Sequence, residues 1–143
     1  MEILKIDTEK RRLGTFGEKR AARYLKRNGY RILKRNFVAD YNEIDIIARD
    51  KETTIFVEVK TRCTDKENPK EPRPASSVNQ KKQRALIKAA RLYTAYYPSK
   101  TKKRFDVIEV YVNRNSARYS VAEIKHLKGA FNLNTAYEHP ERT

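Results

Sequence analysis

Cysteine is nearly absent from this chain. Cys63 stands alone, so an internal disulfide framework is excluded and a reducing compartment is expected. With two His besides (His126 and His139), the chain is too poor in soft ligands for a Cys/His zinc site. Apolar residues are also scarce. They make up 38% of the 143 residues, enough for one core in a chain of single-domain length. No run approaches the roughly 20 apolar residues of a membrane span. The opening residues MEILKIDTEKRRLG hold no apolar stretch of the signal-peptide kind. An amphipathic helix with exposed Trp or Phe, suited to lying on anionic lipid, is missing too. A cytoplasmic protein without a membrane partner is the expectation.

Positive charge, by contrast, is abundant. The chain carries 33 Lys and Arg against 18 Asp and Glu, a formal charge of +15. Such a surface attracts polyanions and gains free energy by releasing counterions from phosphates. Nucleic acid is therefore the leading partner class.

The patterning predicts an α/β domain over residues 13–131, preceded by a flexible basic arm (1–12) and followed by a tail (132–143). A helix is expected from Thr15, where Thr15 and Glu18 have the spacing of a capping box. Its apolar stripe is Ala21, Ala22 and Leu25, and Asn28-Gly29 ends it. Strands follow over Tyr30–Phe37, Glu43–Arg49 and Thr54–Thr61, the last two joined by an Asp50–Thr53 loop. Ile44, Ile46 and Ala48 are expected on one face of the second strand, with Glu43, Asp45 and Ile47 on the other. A proline-bearing stretch over 62–75 reads as a mobile loop. A second helix spans Asn79–Tyr97, capped through Ser77 and Gln80, with Ala85, Leu86, Ala89, Ala90 and Tyr93 buried. Phe105–Val112 and Arg118–Leu127 complete a hairpin-rich mixed sheet flanked by helices.

Asp45, Glu58 and Lys60 carry the chemistry. Glu58 and Lys60 are two apart on one strand, so they share a face roughly 6.5–7 Å apart. Closing the hairpin over a four-residue loop sets Arg49 opposite Thr54 and hence Asp45 opposite Glu58, about 5 Å apart at Cβ. Carboxylates that close repel unless a cation lies between them. Hard oxygen ligands suit Mg²⁺ (or Mn²⁺), which would polarise a phosphodiester and activate a water. Lys60 would orient that water or stabilise charge developing on the phosphate. Glu18 would reach the site through a water or a second metal, and otherwise serves as a capping residue. Gln80 and Lys81 stand where a helix N-terminus would meet phosphate. Lys82, Arg84 and Lys88 extend a basic face for the nucleic-acid backbone. Taken singly, Asp45 and Glu58 read more readily as ordinary solvent-facing strand residues. Ile47 and Phe56 on the same face weigh against that. Cys63 reads as an incidental thiol, and Tyr93, Tyr96 and Tyr97 as packing residues.

The segments LGTFGEKRAARYLKRNGYRILKRNF, NEIDIIARD, TIFVEVKTR and RFDVIEV resemble, in order, the bacterial YraN family (UPF0102), over about residues 13–131. That family is similar to the PD-(D/E)xK, restriction-endonuclease-like nucleases and, among them, to archaeal Holliday-junction resolvases. The resemblance implies an αβββαβ core with Glu18 on the first helix, Asp45 on the second strand and Glu58-Val59-Lys60 as the ExK signature. It also implies the Val59 main-chain carbonyl as a third metal ligand, and Lys81 in a supporting basic position. Asn42 stands where the family commonly has Gly, and Asn tolerates the same backbone better than most residues. Two functions follow as expectations. One is a Mg²⁺-dependent endonuclease on DNA rather than RNA, at branched structures in repair or recombination. The other is a non-catalytic nucleic-acid-binding or adaptor module that keeps the fold. A homodimer would suit a symmetric junction, and so small a domain leaves room for a protein partner.

Overall fold

A computed structural model describes residues 2–64, 78–115 and 118–137, with residues 2–7 as backbone alone. Its elements run α1 (Glu2–Arg27), β1 (Arg31–Ala39), β2 (Asn42–Arg49), β3 (Thr53–Cys63), α2 (Gln80–Tyr96), β4 (Lys102–Asn115), β5 (Arg118–Phe131) and α3 (Leu133–Ala136). The first six give the expected αβββαβ order. One sheet holds all five strands in sequence order. Every neighbouring pair is antiparallel except β3 and β4, which run parallel because α2 carries the chain back across the sheet.

The sheet buries both faces. On one, Ala21, Ala22 and Leu25 of α1 pack with Ile46, Ala48, Ile55, Val57, Ile108, Val110 and Val112. On the other, Leu86, Ile87, Ala89, Ala90 and Tyr93 of α2 pack with Ile44, Ile47, Phe56 and Val107. This is the α/β layering that alternating strands and striped helices demand. Ile44 corrects the simple period: it packs with Ile47 rather than with Ile46 and Ala48. β2 therefore departs from strict alternation between Ile44 and Ile46, where its pairing with β3 also ends. Ile87 is buried, and Ala85 is only half-buried.

Three boundaries differ from expectation for identifiable reasons. α1 begins at Glu2, so Thr15 lies within the helix and does not cap it. The charged residues before it are good helix formers, and they continue the helix where an arm was expected. α2 is capped by Asn79, whose side chain accepts from the Lys82 amide at 2.8 Å. Ser77 and the loop from 65 onward lie outside the described residues. Asn42 has no unusual backbone; the left-handed residues near it are Asp40 (φ 52°) and Tyr41 (φ 67°). With Ala39 paired to Asn42, these two form a two-residue turn of the I′ kind, with positive φ at both central residues.

Helix α1 is held at both ends of its apolar stripe. Gly29 (φ 87°) ends it in a Schellman arrangement, with Tyr30 N–H donating to Leu25 O (2.9 Å) and Gly29 N–H to Lys26 O (3.1 Å). Below this end lies a buried polar network. Arg104 donates two bonds of 2.8 Å to Asp106 and one of 3.0 Å to the Tyr30 hydroxyl. His126 joins Asp106 (2.7 Å) to Tyr24 (3.1 Å), and Gly129 N–H donates to Asp106 at 3.0 Å. Burial would raise the Asp106 pKa, but these donors outweigh it and hold the carboxyl down at about 2. At the other end Gly17 is buried against β3: a Cβ there would overlap the Thr61 side chain, with Cγ2 at 2.8 Å and Cβ at 2.9 Å. Gly14, one turn earlier, has nothing within 4 Å of such a Cβ.

The two glycines should therefore respond oppositely to alanine. Gly14→Ala is expected to stabilise by about 0.5–1 kcal/mol through helix propensity. Gly17→Ala is expected to destabilise by about 1–3 kcal/mol, because overpacking exceeds that gain. Thermal unfolding of both variants checks this, and equal stabilisation by the two would refute the close crossing of α1 over Thr61.

Candidate active site

The hairpin register sets the site. Arg49 pairs with Thr54, as the loop count expected, and the ladder runs through Ile46 and Val57. One step further would place Asp45 beside Glu58, and there the ladder stops. Asp45 Oδ2 instead accepts the Val59 main-chain N–H at 2.8 Å. A side-chain carboxylate thus takes a donor that a neighbouring strand would ordinarily use. Glu58 and Lys60 stand on the α2 side of β3, half-buried.

Four acids and three bases converge here. Burial pushes Glu58 up to about 7, helped by the Asp45 charge and less by Glu18, against the lowering effects of Lys82 and Lys60. Burial also raises Asp45; its bond to the Val59 amide opposes the rise, the nearby Glu43 adds to it, and Lys82 and Lys60 oppose it. Glu18 is pushed up to about 7 by burial first, then by Asp45 and Glu43, with Arg35 opposing. Asn36 organises the outer acids: with its amide turned to satisfy both atoms, its nitrogen donates to Glu18 Oε2 (3.1 Å) and Glu43 Oε1 (2.9 Å). Asn36 has φ 52°, a conformation that Asn accepts more readily than most residues.

The five α2 residues expected to face nucleic acid divide in four. Lys82 is exposed, and its ammonium stands 3.9 Å from Glu58 Oε2, at the edge of the acid cluster. Gln80 and Arg84 secure α3: Gln80 donates to Thr135 O (3.1 Å), while Arg84 donates to Ala136 O (2.7 Å) and lies over the Tyr137 ring at 5.1 Å. Lys88 pairs with Asp40 at 2.6 Å. Lys81 is exposed. Asn36, Arg35, Glu43 and the approach of Lys82 to Glu58 were not foreseen. Lys82 left a signal, since it falls in the helical series with Leu86, Ala89 and Tyr93, where an apolar residue is usual.

The donor set fits a hard divalent cation. Glu58 Oε2 is buried without a hydrogen-bond partner, beside a second carboxylate that raises its pKa. Among the described residues, no three Asp, Glu, His or Cys side chains stand close enough to enclose a metal by themselves. A cation would rest on Asp45 and Glu58 and complete its shell from main-chain and water oxygens, the sparing use of protein ligands usual for Mg²⁺.

With this geometry in hand, comparison with known proteins is specific. The model of the uncharacterised protein family UPF0102 matches residues 17–110. The chain belongs to that family. It is 44% identical over 120 residues to a UPF0102 protein of Chlorobium chlorochromatii, covering 83% of this chain and 90% of the relative. It is 43% identical over 123 residues to one of Clostridium botulinum (85% and 94% covered). A Caldicellulosiruptor bescii UPF0102 protein shares 41% over 123 residues (85% and 98%). The matched span of this UPF0102 chain includes Glu18, Asn36, Asp45, Glu58, Lys60 and Lys82. Among the described residues no helix is long and apolar enough to cross a membrane.

The raised acids make a pH prediction with a definite sign. Glu58 ionises near 4.5 when unfolded and near 7 when folded. Its contribution to stability is full below pH 4.5 and is lost as pH rises through 7. Without divalent metal, wild type should lose more thermal stability between pH 5 and pH 8 than Glu58→Gln does. The difference should be on the order of 5 °C. Parallel pH profiles for the two proteins would contradict this.

Proposed function

We propose that this UPF0102 protein is a divalent-metal-dependent endonuclease that hydrolyses DNA phosphodiester bonds, with branched DNA as its preferred substrate. The observation that carries the reading is the pair Asp45 and Glu58, two carboxylates raised by burial, Glu58 also by the Asp45 charge, and flanked by Lys60 and Lys82 in a chain of charge +15. Repulsion of this kind is costly in a purely structural role and useful where a cation and a phosphate meet.

When bound, Mg²⁺ (or Mn²⁺) would supply Lewis-acid polarisation of the phosphate and a more acidic water. Asp45 and Glu58 would hold it, with the Val59 carbonyl as a further ligand by family resemblance. The Val59 N–H bond fixes the Asp45 carboxylate before any ligand arrives, which lowers the cost of organising the site. Lys60 would orient the attacking water or stabilise charge on a non-bridging phosphate oxygen. Lys82, the other ammonium beside Glu58, would take a second phosphate oxygen. Glu18, held by Asn36, would accept a proton from a water. Lys81, exposed in the first turn of α2, would meet the flanking backbone, and the remaining basic surface would give salt-sensitive affinity.

The alternative is a nucleic-acid-binding or adaptor module that retains this site without turnover. The same basic surface, a charge of +15, would serve it. A labelled panel of single-stranded, duplex, flap and four-way-junction DNA, together with RNA, separates the two readings. The nuclease reading expects metal-dependent cutting that falls roughly a hundredfold or more in Asp45→Asn and Lys60→Ala. DNA binding should persist in Asp45→Asn. Salt-sensitive binding without cutting in any metal would favour the module, and cutting by Asp45→Asn at the wild-type rate would discard the site.

A further inference from the structure

The tip of the β1–β2 hairpin displays an aromatic ring in an unfavourable setting. Tyr41 is as exposed as a residue can be (101%), and Val38 beside it is 65% exposed. Tyr41 also has φ 67°, at the turn position where Gly is ordinarily used. Among the described residues only Asn36, Asp40 and Tyr41 combine a side chain with positive φ, and all three lie on this hairpin. The first two have visible reasons. Asn36 bonds Glu18 and Glu43, and Asp40 pairs with Lys88 at 2.6 Å. Tyr41 makes no hydrogen bond, ion pair or ring contact with the described residues. Strained backbone that displays an unpartnered aromatic points to a ligand.

Its placement indicates which ligand. The Asp40–Lys88 pair ties the tip to α2, the helix whose first turn brings Lys82 to Glu58. Tyr41 precedes Asp45 by four residues on an extended strand, a span of roughly 13 Å. At 3.4 Å per base step, that is about four nucleotides along one strand. The ring sits at the end of the strand that carries Asp45, within that distance of the site, and an exposed Tyr is a sequence-tolerant platform for an unstacked base. Within a closed duplex a base offers its face only to its neighbours, so such a platform selects unpaired or branch-point bases.

We infer that Tyr41 stacks on an unpaired base about four nucleotides from the phosphate held at Asp45 and Glu58, and so selects branched or single-stranded DNA over closed duplex. This rests on the nuclease or nucleic-acid-binding reading above. The test compares wild type, Tyr41→Gly and Tyr41→Phe in binding a four-way junction, a single strand and a blunt duplex of equal length. The first two carry 2-aminopurine at the branch or mid-strand. Tyr41→Gly is the informative variant because glycine suits the turn, so it should fold at least as stably as wild type.

Wild type should prefer junction and single strand over duplex by about tenfold and change the 2-aminopurine fluorescence on binding. Tyr41→Gly should lose that preference and the fluorescence change while binding duplex as before. Tyr41→Phe should retain both. Undiminished preference in Tyr41→Gly would overturn the stacking role and leave the nucleic-acid reading intact. Failure of wild type to bind any of the three DNAs at low salt would overturn both.

Discussion

Asp45 accepts a hydrogen bond from the Val59 main chain where the β2–β3 ladder would otherwise continue. That single substitution of side chain for strand is the constraint on which the site depends. It fixes one carboxylate against β3 and leaves the next residue, Glu58, with a buried oxygen that no protein donor satisfies. Carboxylates so arranged would be a defect in an ordinary sheet. They are tolerated because Lys60 and Lys82 offset part of the repulsion, and because the flanking Ile47 and Phe56 are tightly packed beneath α2.

The two helices deliver their groups to this point by close packing. α1 can bring Glu18 to the sheet because Gly17 lets the helix approach Thr61 with no side chain between them. The far end of α1 is locked by the Asp106 network, whose donors reach Tyr24 and Tyr30, so the helix has little freedom to swing away. α2 crosses the opposite face. Exposed Lys82 lies one turn before its buried stripe, and that cation meets Glu58. The family model spans the acids, Asn36, Lys60 and Lys82 of this arrangement.

Much of this was legible in the sequence. Alternation and a four-residue loop fixed the β2–β3 register, and with it the proximity of Asp45 to Glu58. The α1 and α2 stripes were readable at helical spacing. The remainder depends on tertiary facts without a local pattern. Residues before Leu13 are charged helix formers without a regular stripe, so they read as an arm. Lys82 looks like one lysine among many until its approach to Glu58 is seen. Gln80 and Arg84 read as nucleic-acid contacts because α3, which they bind, lies in a tail with little patterning. Asn36 and Tyr41 act through positive φ, which the residue names alone do not announce.

The central claim is that Asp45 and Glu58 form a cation site, and calorimetric titration with Mn²⁺ near pH 6.5 tests it most directly. Run in two buffers of different ionisation enthalpy, it counts both ions and protons. The account requires binding accompanied by proton release, since a metal ligand must be ionised and Glu58 is pushed up to about 7. Asp45→Asn should lose that binding. Millimolar Mn²⁺ without detectable binding to wild type, or equal binding to Asp45→Asn, would contradict the account.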